Sequence, residues 1–209
     1  ISYRRVVKLI KDFGIYRSVG FFKVPHFTTI QKFCDRLPER ILHLLMKVFV
    51  PKTTETIIGD GTGFSVNNPS FHYLSVLRRF TGKEQKIKSA IMTVIFADLK
   101  TKLVTRANTS HKKTHEAKLS TPMLEDLHCK NFIYDKALDS KKIRQELTKQ
   151  GITPIIPYRK NNKKKKTINT KLYRQRNIAE SIISSIKRTY GNNIRNKKTN
   201  NQQKQTLWH

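Results

Sequence analysis

The apolar positions change period twice along the chain. Over residues 4–12 and 28–36 they recur every three or four positions, which predicts short amphipathic helices stopped by Gly14 and by Leu37-Pro38. Pro25 marks a turn, and Thr28 is read as the N-cap of the second helix. A third helix is predicted over 41–50, closed by Pro51. After Pro51 the pattern becomes that of strands. Residues 54–60 are β-rich and break at Gly61 and Gly63, 71–80 alternate loosely, and 89–98 carry Ile91, Val94, Ile95 and Phe96. A helix over 114–128, a buried strand over 131–134, a helix over 140–150 and a strand over 152–156 follow. Helical spacing returns at 173–187. There Ala179, Ile182, Ile183, Ile186 and Tyr190 form an apolar face, while Tyr173, Arg176, Glu180 and Lys187 share a polar stripe roughly 60° wide.

After the helical start the order is β-β-β-α-β-α-β-α. It predicts an α/β fold: a ribonuclease-H-like core with a mixed five-stranded sheet, three strands antiparallel and the others reached by helical crossovers. Three parts are expected. They are a small helical N-terminal lobe over 1–50, the α/β domain over 51–195 and a basic, flexible tail over 196–209. Two readings of the lobe stay open, a helix-turn-helix reader of nucleic acid and a packing or dimerisation element.

Charge narrows the partners. The formal net charge of the 209 residues is +29. From residue 141 onward, 19 Lys and Arg stand against Glu146 and Glu180 alone. Such an excess points to nucleic acid, with an anionic membrane surface or an RNA contact as the bland alternatives. Cys34 and Cys129 belong to no metal-binding spacing and suit a reducing compartment, so an intracellular, cytoplasmic location is expected. The longest apolar run, 90–97, is too short to span a bilayer, and no membrane partner is expected. The sequence starts at Ile1 and not at Met, so a native start upstream is expected, and no signal-peptide pattern stands out.

Three carboxylates carry the candidate chemistry. Asp60 ends the first predicted strand with a glycine on either side, and Asp135 directly follows the fourth. In this fold the first and fourth strands are neighbours, so the two acids meet, and Glu180 on the last helix completes a cluster. Mg²⁺ or Mn²⁺ prefers oxygen ligands, and two such ions about 4 Å apart stabilise both the attacking and the leaving oxygen in phosphodiester cleavage. Taken singly, each acid has a plainer reading: strand-end Asp residues form turns, and a Glu beside Arg or Lys lies on many solvated helix faces. Asp98 reads as a turn former and Asp139-Ser140 as the cap of the next helix.

These residues resemble a family, the DDE transposases of prokaryotic insertion sequences, in the insertion-sequence four/five type branch with a Tyr-Arg-Glu-Lys signature. Tyr173, Arg176, Glu180 and Lys187 match its spacing without a gap. Ile58-Gly59-Asp60-Gly61-Thr62 is similar to the family's first-Asp strand, and Tyr134-Asp135-Lys136 to its second-Asp segment, although Ala137-Leu138 stands where Gly-Tyr is usual. The resemblance implies metal-dependent cleavage at transposon ends and joining of the 3′-hydroxyl to target DNA. It implies Asp60, Asp135 and Glu180 as ligands of two Mg²⁺ or Mn²⁺ ions. Arg176 and Lys187 would hold phosphate, and Tyr173 would lie against DNA. Arg159, Lys160, Lys163, Lys164, Lys165 and Lys166 would follow the backbone. The implied partners are double-stranded DNA, as terminal repeats and target, and a second copy in a homodimer on paired ends. The alternatives are a truncated remnant that binds DNA without cutting and a nuclease without strand transfer.

Overall fold

The computed structural model describes residues 2–48, 54–66, 76, 78–80, 82, 90–111, 114–159, 168–194 and 199–208. It divides into two compact units, Ile1–Ile41 and Leu42–His209.

The first unit is helical, with α1 (Tyr3–Asp12), α2 (Ile15–Ser18) and α3 (Phe27–Arg36). The Ser2 hydroxyl caps α1 by accepting the Arg5 N–H at 3.3 Å. Gly14 sits at φ 64°, a turn only glycine makes without strain, and separates α1 from α2. His26, and not Thr28, caps α3. Its ring nitrogen accepts the Thr28 N–H, which places the helix start at Phe27. The Arg4 guanidinium lies 5.0 Å from the centre of the Phe27 ring and ties α1 to α3.

Helix α4 (Glu39–Val48) carries Leu42 and Met46 into the second unit, where Leu42 is buried. The strands are β1 (Thr54–Val66), β2 (Ala90–Asp98), β3 (Val104–Ser110), β4 (Cys129–Ile133), β5 (Thr153–Ile155) and β6 (Asn193–Ile194). They make one mixed sheet in the order β3-β2-β1-β4-β5, with β6 also paired to β1. The pairs β1–β2 and β2–β3 are antiparallel, and β4, β5 and β6 join in parallel. The ribonuclease-H-like reading of the fold holds, with six strands in place of five.

Several elements differ from their sequence reading. β1 does not stop at Gly61, because β2 pairs with it continuously from Ile57–Asp98 to Ser65–Ala90 and carries the glycines in the ladder. The strand expected over 71–80 is not among the described strands: Val76 and residues 78–80 are helical, and 71–75 and 77 lie outside the described residues. Its place goes to β2, and the third place to β3. The helix expected over 114–128 is short, α5 (Glu116–Ser120), followed by a 3₁₀ turn over Thr121–Leu124. Pro122 supplies no N–H to continue the α ladder. Helix α6 (Lys141–Lys149) ends as expected at Gly151, φ 74°. The signature stretch is not one helix either. It comprises α7 (Thr170–Tyr173), a 3₁₀ turn over Arg174–Arg176 and α8 (Asn177–Tyr190). The tail expected to be flexible forms helix α9 (Thr199–Trp208), with Gln202 and Thr206 buried and Leu207 packed on the core.

Strand alternation gives the sheet two apolar faces. Ile57, Phe96, Phe132 and Tyr134 point to one face, covered by Leu119 of α5 and by Ile143 and Leu147 of α6. Ile58, Ile95, Ala97 and Ile133 point to the other, covered by Ala179, Ile182 and Ile183 of α8. Each fully buried Ile or Phe contributes about 1.5–3 kcal/mol relative to exposure. Gly59 lies on the first face. A Cβ there would stand 2.5 Å from the Tyr134 ring and 2.9 Å from the Phe96 ring. Both rings are wholly buried and packed edge to face, so neither can yield. Gly59→Ala should therefore cost ~1–3 kcal/mol in chemical denaturation. Wild-type stability in this variant would contradict the packing.

Candidate active site

β4 pairs with β1 only from Thr54 to Ile58, and β6 rejoins that edge of β1 at Ser65. Between them that edge of β1 pairs with no strand among the described residues, just past the carboxyl end of β4. Open α/β sheets generally bind ligands in such a place.

Asp60 sits at this opening. By alternation from Ile58 it faces α8, and its Oδ1 accepts the Gly61 N–H at 2.9 Å. Asp135 follows β4 directly. Its Oδ1 accepts the Lys136 N–H at 2.6 Å and caps a 3₁₀ turn over Lys136–Leu138. Glu180 lies in the first turn of α8. The structure thus brings strand, turn and helix together at one end of the β1–β4 pair, on one face of the sheet.

Arg176 stands between two of these acids. Its Nη2 donates to Glu180 Oε1 at 2.6 Å, and its Nη1 lies 3.9 Å from Asp60 Oδ1. Burial holds the Asp60 carboxyl above its usual range, and the nearby charges of Glu180 and Asp135 push the same way, against the Gly61 N–H and Arg176. Tyr173 is half-buried, and burial followed by the charge of Asp135 raises its hydroxyl. Lys187 reaches back along α8 to the open strand. Its Nζ donates to the Gly63 carbonyl at 3.0 Å and lies 5.3 Å from the centre of the Phe64 ring. Arg176 and Lys187 therefore reach β1, Glu180 through its bond to Arg176, and Tyr173 packs on the same sheet face, although a 3₁₀ turn interrupts their helix.

The loops behind Asp135 are tied down. Arg144 Nε donates to Asp139 Oδ1 at 3.0 Å, Arg144 Nη2 donates to the Ile156 carbonyl at 2.6 Å, and its guanidinium stacks 3.9 Å from the centre of the Tyr158 ring. Asp139 Oδ2 accepts the Arg159 N–H at 2.6 Å. Asp139 is thus not the cap of α6: Ser140 takes that position, and the Asp139 carboxylate pairs with Arg144 instead. Arg159, expected on DNA, donates its guanidinium to the carbonyls of Lys136 and Ala137 and braces the turn that Asp135 caps. Asp98 is the turn former expected, accepting the Thr101 N–H at 2.8 Å. Lys160, Lys163, Lys164, Lys165 and Lys166 lie outside the described residues.

One acid at the opening was missed. Glu116, the first residue of α5, approaches from the opposite face of the sheet. Its carboxyl carbon and Oε1 each lie 2.6 Å from the point a Cβ on Gly61 would occupy. Its Oε2 faces the Tyr134 hydroxyl at 3.4 Å. The glycines beside Asp60 thus make room for two side chains of the protein, Tyr134 over Gly59 and Glu116 over Gly61. The sequence signal was an acid opening the helix after β3, concealed because β3 itself went unrecognised.

A family model described as a transposase DDE domain matches residues 51–209. The chain belongs to that family. No curated protein matches the chain.

In this transposase DDE domain the donor set fits a hard divalent cation by its chemistry: carboxylate oxygens from three elements, with a positive charge already held against two of them. Among the described residues no three His, Cys, Asp or Glu side chains converge closely enough to hold an ion as they stand. The Arg176 guanidinium is the cation at this spot. No described helix is long and apolar enough to cross a membrane.

The raised Asp60 carboxyl has a definite sign in stability. A folded-state pKa above the unfolded value of about 3.9 favours the protonated form in the fold. The metal-free chain then loses stability from this group as pH rises through the folded value, and the contribution is constant below the unfolded one. Asp60→Asn removes the titration. In EDTA the variant should melt above the wild type at pH 7, with the gap closing toward pH ~4. A gap that stays constant with pH would contradict the shift.

Proposed function

We propose that this transposase DDE domain cuts DNA at the ends of its element and joins the freed 3′-hydroxyl to target DNA, as the signature branch it resembles implies. The observation that supports the reading is Arg176, bonded to Glu180 at 2.6 Å and 3.9 Å from Asp60, beside the end of β4 where Asp135 caps its turn.

In this reading the three carboxylates would hold two Mg²⁺ or Mn²⁺ ions, with substrate phosphate and water as the remaining ligands. Bound there, the ions would lower the pKa of the attacking water or 3′-hydroxyl and neutralise charge on the leaving oxygen. The protein's own share is placement. Arg176 would leave the carboxylates for a phosphate oxygen, exchanging one anion for another in a charge-assisted hydrogen bond. Lys187, fixed by the Gly63 carbonyl at the edge of β1, would meet a second phosphate. Tyr173 would set the sugar or base beside the cut. The basic stretch carrying Lys160 and Lys163 to Lys166 would follow the DNA backbone without reading sequence. Pairing two element ends calls for two copies of the chain.

The test is a labelled duplex carrying the element's terminal repeat, incubated with Mn²⁺ or EDTA. Nicking at the repeat boundary should require the metal. Glu180→Gln should reduce the nicking rate by at least about a thousandfold, while duplex affinity stays within about twofold, because DNA binding rests on the cations. Salt-sensitive binding by the wild type with no nicking would overturn the catalytic reading in favour of a DNA-binding remnant. Nicking without a joined product would overturn strand transfer in favour of a nuclease.

A further inference from the structure

The turn that Asp135 caps is short. It spans Lys136–Leu138, and its backbone bonds run from the Leu138 N–H to the Asp135 carbonyl and from the Asp139 N–H to the Lys136 carbonyl, each at 3.1 Å. A 3₁₀ turn of this length has poor bond geometry and little cooperativity of its own, so its shape is set from outside. Asp135 is sensitive to that shape, because its Oδ1 accepts the N–H of Lys136, inside the turn, at 2.6 Å.

The outside support is Arg159, which follows β5. Its Nε donates to the Lys136 carbonyl at 3.3 Å and its Nη2 to the Ala137 carbonyl at 3.0 Å. A guanidinium holds these donors in one plane at a fixed spacing, so it grips successive carbonyls as a unit. The backbone end of Arg159 is fixed as well, since its N–H donates to Asp139 Oδ2 at 2.6 Å. Asp139 is itself held by Arg144 at 2.9 Å, in an ion pair whose side chains are only 15% and 5% exposed. Arg159 is thus tied at both ends, whereas a cation that follows a DNA backbone keeps its head group free for phosphate.

We propose that Arg159 is a positioning residue for strand cleavage: it acts through the Lys136–Leu138 turn to fix the carboxylate of Asp135, in place of the DNA-backbone contact expected from the sequence. The proposal rests on the reading of Asp135 above and assigns Arg159 to the rate of cleavage and not to DNA affinity.

The test compares Arg159→Ala, Arg159→Gln and Arg159→Lys with wild type in the full chain. The measurements are the single-turnover nicking rate at saturating duplex in Mn²⁺, duplex affinity in EDTA over a range of salt, and hydrogen exchange of the Leu138 and Asp139 amides without metal. Arg159 is exposed, so the variants should fold, and circular dichroism melts check this. Arg159→Ala should slow nicking about tenfold or more and speed exchange of both amides. Its duplex affinity should stay within about twofold of wild type, with an unchanged salt slope. The amide nitrogen of Arg159→Gln falls where Nε stands and can still donate to the Lys136 carbonyl. It should recover part of the rate although the charge is gone, and Arg159→Lys, which keeps the charge without the fork, should recover no more. A salt slope shallower by about one in Arg159→Ala and Arg159→Gln, restored in Arg159→Lys, would make Arg159 a phosphate contact and overturn the proposal. A nicking rate within about twofold of wild type in Arg159→Ala would overturn it too. In both cases the wild type still nicks, and the catalytic reading stands. A wild type that binds duplex without nicking would overturn both.

Discussion

A parallel strand pair closes off its edge only as far as both strands run, and here they run unequal lengths. β4 leaves the sheet after Ile133, opposite Ile58, while β1 continues to Val66. β2 holds β1 straight along its other edge through that stretch. The opening that results is a rigid gap in the sheet, bounded by the turn after β4 on one side and by β6 on the other. Each candidate ligand depends on it. Asp60 is on the strand that outlasts its partner, Asp135 is the first residue past the end of the strand that stops, and α8 can bring Glu180 close because Ala179, Ile182 and Ile183 anchor it to the same sheet face. Without the difference in length, the chain would bury these acids in a continuous ladder, where carboxylates cannot stay charged unpaired.

Like charges collected in this way oppose folding, and the structure shows what offsets them. Gly61 and Lys136 each give a backbone N–H to an aspartate, and Arg176 gives a guanidinium to Glu180. These partners do not return Asp60 to its ordinary range. Burial is the larger part of what keeps it raised, and the charges of Glu180 and Asp135 add to it. The rigid part is kept separate. Arg144, Asp139, Tyr158 and Arg159 lock the loops after β4 and β5 through carbonyl bonds and ring stacking, so the turn that Asp135 caps stays fixed.

The order of elements and the three acids were legible because each sat on a strong local signal: a β-branched run before Asp60, a buried run before Asp135, and an apolar helix face behind Glu180. β3 was not legible. Arg106, Asn108 and Thr109 interrupt its alternation, and their reasons are tertiary, since Arg106 donates to the carbonyls of Met123, Glu125 and Asp126, and Asn108 to that of Leu119. Missing β3 moved the second and third strands one place along the chain and left Glu116 unremarked within an overlong helix. Gly61 misled for the opposite reason. A glycine in a strand pattern reads as a break, whereas β2 pairs straight across it and the missing side chain serves a neighbour on the sheet face. Helix α9 escaped notice because an Asn- and Gln-rich stretch has no apolar face to announce it, and its burial comes from packing on β3 and β6.

The position of Arg176 follows from how little its present partner holds it. Glu180 is about half exposed, with a side-chain exposure of 52%, and a pair of that kind contributes only about 0.2–1 kcal/mol. A hydrogen bond from a charged donor to an anion in a less solvated place contributes roughly 1.5–3 kcal/mol. The guanidinium is therefore held loosely enough to exchange a carboxylate for a phosphate, and the 3₁₀ turn ending at Arg176 sets it just ahead of α8, across from both Asp60 and Glu180. An unbroken helix through Tyr173 would fix the stripe by its own pitch. The tighter turn lets the first half of the signature be placed by the β1 edge and the second half by the apolar face of α8. In the proposed reading Arg176 would then neutralise the acids and release them when phosphate arrives.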